Sequence, residues 1–241
     1  MIGVYDSGQG GKSVLKELRK VMPEEDYLYF ADTAYCPYGP RPAEFIIQRA
    51  CHITDFFIEK GCDMVVVACN TATAAAISYL RNHYTIPFIG MEPAVKPAVL
   101  HSKSGVVGVL ATSGTFKGSL YLNTLAKFSG DVKVIQCVGE GFVETVEAGV
   151  LDGQQVEALV HKCVDPMIEA GADHIVLGCT HYPFLQPVIE RIAGPGVTVI
   201  NPAPAVALQA KRVRDSIRKT VTSKTEGSVV YCNSTDGDTC I

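Results

Sequence analysis

Short Val- and Ile-rich runs, which do not alternate with polar residues, recur along the chain between longer amphipathic stretches. The runs Ile2–Tyr5, Tyr27–Phe30, Met64–Ala68, Phe88–Gly90, Val106–Leu110, Val132–Gln136, Ile175–Leu177, Val197–Ile200 and Val229–Tyr231 predict strands. Between them, Gly11–Val21, Ala43–Lys60, Ala72–His83, Gly118–Phe128, Gln154–Glu169, Phe184–Ile192 and Ala203–Lys219 predict helices. Uninterrupted apolar runs fit strands covered on both faces, as in parallel sheets. Strand–helix alternation then implies an α/β architecture with right-handed crossovers.

The pattern also repeats. Gly61-Cys62-Asp63-Met64-Val65-Val66-Val67-Ala68-Cys69 aligns without gaps on Gly171-Ala172-Asp173-His174-Ile175-Val176-Leu177-Gly178-Cys179, with glycine, aspartate, the middle valine and cysteine in common. A second echo pairs the segment from Gly3 to Gly8 with that from Gly108 to Ser113. Two echoes in the same order predict two similar α/β domains with parallel sheets flanked by helices, related by a pseudo-twofold, with the site in the cleft between them. The expected division is residues 1–95 plus 206–241 for the first domain and 96–205 for the second.

Composition narrows the function classes. With 47% hydrophobic residues the chain can build a sizeable core, and its net charge of −4 gives no broad footprint for nucleic acid. The basic run Lys211 to Lys219 reads as the solvated face of a helix. Neither a secretory leader nor an apolar run of the ~20 residues that span a membrane is evident. The nine cysteines are therefore expected to be reduced thiols of a cytoplasmic protein. No CxxC pair or zinc-like spacing of Cys and His occurs, so no metal site is expected.

Polar residues stand where apolar strands end: Asp6-Ser7, Asp32, Cys69-Asn70-Thr71, Thr112 and Cys179-Thr180-His181. Open parallel sheets bind ligands outside the carboxyl ends of their strands. The glycine-rich turn from Asp6 to Ser13 lacks both the P-loop and the dinucleotide spacing, and its glycines suit close approach of backbone to a small ligand instead. Cys69 and Cys179 occupy matched positions of the repeat, each expected near a helix N-terminus that favours the reactive thiolate. Cys36, Cys51, Cys62, Cys137, Cys163, Cys232 and Cys240 lack this context and read as packing or surface residues. Two thiols on opposite sides of a cleft suit removal of a proton from one face of a saturated carbon and its return to the other. Hydrolysis by one thiol would leave the second without a role.

Asp6-Ser7-Gly8-Gln9-Gly10-Gly11, Ala31-Asp32, Pro37-Tyr38-Gly39, Ala68-Cys69-Asn70-Thr71-Ala72 and Gly178-Cys179-Thr180-His181-Tyr182-Pro183 resemble the glutamate racemases of bacterial cell-wall synthesis. The resemblance runs in order from residue 3 to about residue 200, and His181 separates it from the related aspartate racemases. It implies a cofactor-independent racemase, without pyridoxal or metal, that supplies D-glutamate for peptidoglycan. It further implies that Cys69 exchanges the proton with D-glutamate and Cys179 with L-glutamate, assisted by Asp6 and His181 respectively. Asp32 and Glu147 would be further acidic residues near the site. Ser7, Pro37, Tyr38, Gly39, Asn70, Thr71, Thr112, Thr115 and Thr180 would hold the substrate. The expected partner is the small-molecule substrate, with a homodimer possible. Asn201 stands where the family carries an acidic residue. The alternatives are an aspartate or other amino-acid racemase of the same superfamily, a one-thiol decarboxylase or isomerase, a dicarboxylate-binding protein without chemistry, and a thiol redox sensor.

Overall fold

The structure, a computed structural model, describes residues 1–217, 226–235 and 239–240. Its elements run β1 (Ile2–Asp6), α1 (Lys12–Val21), β2 (Tyr27–Ala31), α2 (Ala43–Glu59), β3 (Met64–Val67), α3 (Asn70–His83), β4 (Phe88–Gly90), α4 (Val95–His101), β5 (Val106–Ala111) and α5 (Ser113–Lys117). They continue with α6 (Ser119–Phe128), β6 (Lys133–Val138), α7 (Phe142–Glu147), α8 (Gln154–Glu169), β7 (His174–Gly178), α9 (Gln186–Ala193), β8 (Thr198–Ile200), α10 (Ala203–Ile217), β9 (Val229–Asn233) and β10 (Thr239–Cys240). Short 3-10 turns at Thr33–Tyr35 and Tyr182–Leu185 come after β2 and β7. All nine expected strands and seven expected helices are present. The short helices α4, α5 and α7 and the two-residue β10 are additions. The last two residues of the expected helix 203–219 lie outside the described residues.

The strands form two sheets, β10-β9-β2-β1-β3-β4 and β6-β5-β7-β8, parallel throughout except for the antiparallel β10. Setting β9 and β10 aside, the two orders are the same when β1 is matched to β5 and β3 to β7. The repeat seen in the sequence is thus a repeat of topology. Gly61 and Gly171, its first matched pair, both close a preceding helix at positive φ, +83° and +85°. A side chain at either would be strained there. The matched aspartates two residues on anchor the starts of the central strands. Asp63 accepts from the N-terminal amine at 3.3 Å. Asp173 accepts from the Lys103 and Ser104 amides at 2.6 and 2.9 Å.

Each sheet is covered on both faces, which explains the continuous apolar runs. In the first, Ile2, Val4, Met64 and Val66 pack against α1 and α10, while Tyr5, Leu28, Phe30, Val65 and Val67 pack against α2 and α3. In the second, Leu110, Ile175 and Leu177 face α8 and α9, and Val107, Val109 and Val176 face α4 and Tyr121 of α6. Helix α10 returns the chain to the first sheet by burying Ala203, Val206, Ala207, Ala210 and Arg214 at helical spacing. Asn201 starts it: its Oδ1 accepts the Ala203 amide at 2.9 Å, a capping role for which an amide serves as well as an acid.

Two expectations are corrected. The basic run is not wholly a solvated face, because Arg214 turns inward at 6% exposure. It forks onto Glu25 at 2.9 and 3.0 Å and reaches Asp63 at 2.9 Å. Nor are all the cysteines thiols. Cys137 on β6 and Cys163 on α8 are joined as a disulfide across a Cα separation of 5.6 Å, because α8 packs beside β6 and aligns residues 26 apart in the chain. Cys232 is likewise disulfide-bonded. Cys36, Cys51, Cys62, Cys69 and Cys179 are free.

Candidate active site

The carboxyl edges of the two sheets meet, and the residues singled out at strand ends line their junction. Asp6 closes β1, fully buried, with one oxygen accepting the Gly8 amide at 2.9 Å and the other the Thr180 hydroxyl at 2.9 Å. The second bond crosses between the two sheets. So do those from Ser13 Oγ to the Thr180 carbonyl at 3.0 Å, between Thr71 and Thr112 hydroxyls at 2.7 Å, and from Ser113 Oγ to the Gly39 carbonyl at 3.1 Å. Thr112 also accepts the Thr115 amide at 3.3 Å, which opens α5. A side chain at Gly114 would strike Thr71 Cγ2 at 2.6 Å, so the junction closes only around a bare backbone there.

The two thiols have different surroundings. Cys69 caps α3, its sulfur accepting the Ala72 amide at 3.4 Å and standing 3.9 Å from Ser7 Oγ. Cys179 succeeds β7 but precedes a 3-10 turn, not an α-helix; α9 begins only at Gln186. The expectation of two matching helix N-termini is therefore corrected: Pro183 lies just beyond β7, and the turn around it delays the helix. In place of a dipole, Cys179 has His181, whose Nδ1 lies 3.8 Å from its sulfur. The other ring nitrogen donates to Glu147 Oε1 at 2.5 Å, and that same oxygen accepts the Gln9 amide at 2.6 Å. Gly10 permits this approach, since a Cβ there would sit 2.3 Å from His181 Nδ1.

Electrostatics separate the two sides further. Burial, reinforced by the charge of Asp6, drives the Cys69 thiol well up, so that it holds its proton. Burial also raises the Asp6 carboxyl, opposed by His181 and the Gly8 amide. For His181 burial acts the other way, but bonds to Cys179, Cys36 and Glu147 outweigh it and keep the imidazole protonated well above its ordinary range. Glu147 is correspondingly lowered: His181 and the Gln9 amide overcome its desolvation. A protonated, buried thiol thus sits on one side and an imidazolium–carboxylate pair beside the second sulfur on the other.

Asp32 is buried at the end of β2, but it is held bidentately by Arg49 at 2.9 and 2.7 Å and receives the Tyr38 hydroxyl. Both its oxygens are thus engaged by Arg49 and Tyr38. Pro37 is joined to Cys36 by a cis peptide bond, and Gly39 packs against Thr112, 3.3 Å from where its Cβ would lie. Asn70 donates to the Met91 carbonyl at 3.4 Å, while its Oδ1 is buried with no hydrogen-bond partner among the described residues. Sequence reasoning singled out the turn that holds Gln9, Gly10 and Ser13 but gave none of them an individual role, and it missed Arg49 and Cys36. Cys36 was within reach, because it adjoins the Pro37-Tyr38-Gly39 block. Its sulfur, a Glu147 oxygen and a His181 nitrogen lie within 4.8 Å of one another and could hold a metal ion; they come from three distant segments, so no spacing reveals them.

Residues 11–210 match the Asp/Glu/Hydantoin racemase family. The chain is 45% identical over 235 residues to the glutamate racemase of Herpetosiphon aurantiacus, covering 98% of this chain and 92% of that one. Among solved structures it resembles glutamate racemase isoform RacE1 from Bacillus anthracis, with a TM-score of 0.86, 31% identity and coverage of 97% and 88%. It likewise resembles the Escherichia coli glutamate racemase in complex with L-glutamate and the activator UDP-MurNAc-ala, with a TM-score of 0.85, 30% identity and coverage of 96% and 88%. The chain belongs to the Asp/Glu/Hydantoin racemase family, among its glutamate racemases.

Proposed function

We propose that the chain interconverts L- and D-glutamate by passing the α-proton between two thiols, with Cys179 serving the L enantiomer and Cys69 the D enantiomer. The observation that carries this reading is the inequivalence of the two sulfurs, one beside Asp6 and Ser7, the other beside His181 and Glu147. From L-glutamate, Cys179 as the thiolate paired with the His181 imidazolium takes the α-proton on one face, and the Cys69 thiol delivers its own to the other; Asp6 then returns a proton to Cys69, and Cys179 releases its proton to solvent. Positioned donors in a dry cleft offset part of the low acidity of the Cα–H.

Asn70 Oδ1, buried and without a partner, is suited to the substrate ammonium. The hydroxyls of Ser7, Thr71, Thr112, Thr115 and Thr180 and the backbone around Gly39 suit its carboxylates. Asp32 and Arg49 support this surface through Tyr38, beside Pro37. Supply of D-glutamate to peptidoglycan, a cytoplasmic setting and a homodimer belong to the same reading. No described helix is long and apolar enough to cross a membrane.

The test is incubation with L-glutamate in deuterated water, tracking the α-proton by NMR together with optical rotation. Loss of both in the wild type, and loss of racemisation in Cys69→Ala and in Cys179→Ala, is the expected result. Full activity in either variant sinks the two-thiol mechanism, and turnover of aspartate alone moves the substrate to the sister family.

A further inference from the structure

Cys36 is neither of the two thiols assigned to the α-proton, yet its sulfur faces two residues that stand beside one of them. It leaves the turn after β2 and meets Glu147 from α7 and His181 from the loop after β7, all three donor atoms lying within 4.8 Å of one another. Gly8 leaves the space between them open: a Cβ there would stand 2.1 Å from Glu147 Oε1 and 3.1 Å from Cys36 Sγ. His181 is buried at 1% exposure and the other two are half-buried, so the donors converge inside the junction and not on its surface.

We propose that Cys36, Glu147 and His181 form an inhibitory site for a single Zn2+ ion, which ties the two sheets together across the cleft. Thiolate, imidazole and carboxylate are the donors that zinc accepts together, with a fourth position left for water. Mg2+ and Ca2+ want oxygen donors and find one side chain of that kind here. Bonds of about 2.0–2.3 Å set tetrahedral donors about 3.3–3.8 Å apart. The Glu147–His181 contact of 2.5 Å must therefore widen by roughly 1 Å while Cys36 moves in, adjustments within rotamer reach. On binding, the Cys36 S–H and the His181 Nε2–H bonds break, two metal bonds replace them, and both protons leave to solvent. No electron is transferred.

Inhibition results from the residues the ion takes. His181 and Glu147 no longer exchange a proton with Cys179, and ligands from both sheets hold the cleft shut against substrate. This consequence rests on the racemase reading; the site itself does not.

The metal-free protein, with its disulfides intact, is titrated with Zn2+ by calorimetry and with Co2+ by absorption. The expected results are one equivalent bound, a thiolate-to-cobalt charge-transfer band, and racemase activity lost in step with occupancy and restored by a chelator. Cys36→Ser is expected to keep its circular-dichroism spectrum, lose the band, and bind Zn2+ more weakly by at least about tenfold, a loss that removing even a hydrogen-bond partner of a ligand produces. Glu147→Gln is expected to weaken binding as well. The proposal is overturned if no stoichiometric binding occurs, or if Cys36→Ser keeps band and affinity while Cys179→Ser loses them. Binding with the band but without any racemisation in the metal-free protein would uphold the site and refute the racemase reading.

Discussion

Glu147→Gln isolates the role of the pair beside Cys179. The substitution preserves shape and leaves an oxygen for the Gln9 amide, but removes the charge that His181 faces at 2.5 Å. Side-chain exposures of 2% for His181 and 23% for Glu147 leave little solvent to screen the contact. A hydrogen bond to a charged group is worth about 1.5–3 kcal/mol. At about 1.4 kcal/mol per decade, kcat should fall about 10- to 150-fold if the full contact acts in the transition state. The loss belongs to the step at Cys179, so it has a direction. With α-deuterated L-glutamate the isotope effect on kcat/KM should grow, because proton removal by Cys179 becomes limiting. With α-deuterated D-glutamate it should shrink, because Cys69 removes that proton. The basic limb of the pH profile should also move to lower pH, since the carboxylate is one of the groups that keep His181 protonated. Equal changes in both isotope effects, or a loss confined to KM, would refute the assignment of Glu147 to the Cys179 side.

Gly10→Ala places a methyl group 2.3 Å from His181 Nδ1 and should lower kcat by at least about tenfold while the thermal midpoint stays within a few degrees; unchanged kcat would show that the ring moves aside freely. Arg214→Met takes the guanidinium from a Glu25 that is 3% exposed and should cost about 3–5 kcal/mol in urea unfolding, most of it recovered in the double variant with Glu25→Leu. Burial pushes the Cys62 thiol from 9.0 up to about 12, so between those values the unfolded chain loses a proton that the folded chain keeps. Stability should fall with rising pH over that window by about 1.4 kcal/mol per unit from this group, and Cys62→Ala should flatten the slope; an unchanged slope would place the effect elsewhere.

The sequence announces the inner strands because they are sandwiched, and a sandwiched strand is apolar at nearly every position, whereas β6, β8 and β9 are partly exposed. It announces Cys69 and Cys179 because polar residues at a strand end interrupt such a run. The features that escaped it depend on partners far away in the chain. Helices α4, α5 and α7 are too short to show a period. Asp32 looks like a free acid until Arg49, on the inner side of α2, is seen holding it. Cys137 and Cys163 become partners only through the packing of α8 beside β6. The difference between the two thiols was hidden for a related reason: the repeat aligns the cysteines, but an α-helix follows one and a 3-10 turn the other.

The path of the chain between the sheets constrains how the molecule can move. It crosses once between β4 and β5 and once more between β8 and α10, with Pro93 and Pro202 in the connecting stretches. Two parallel tethers behave as a pair of door hinges. They leave one rotation nearly free and oppose sliding and twisting, because either would stretch one tether against the other. Movement about them would return Thr180 to Asp6 and Gln9 to Glu147 in the same register, and with them the two sulfurs to the same places. In the proposed reaction, accuracy in placing a proton on one face of a carbon is thus a property of connectivity as much as of the side chains at the junction.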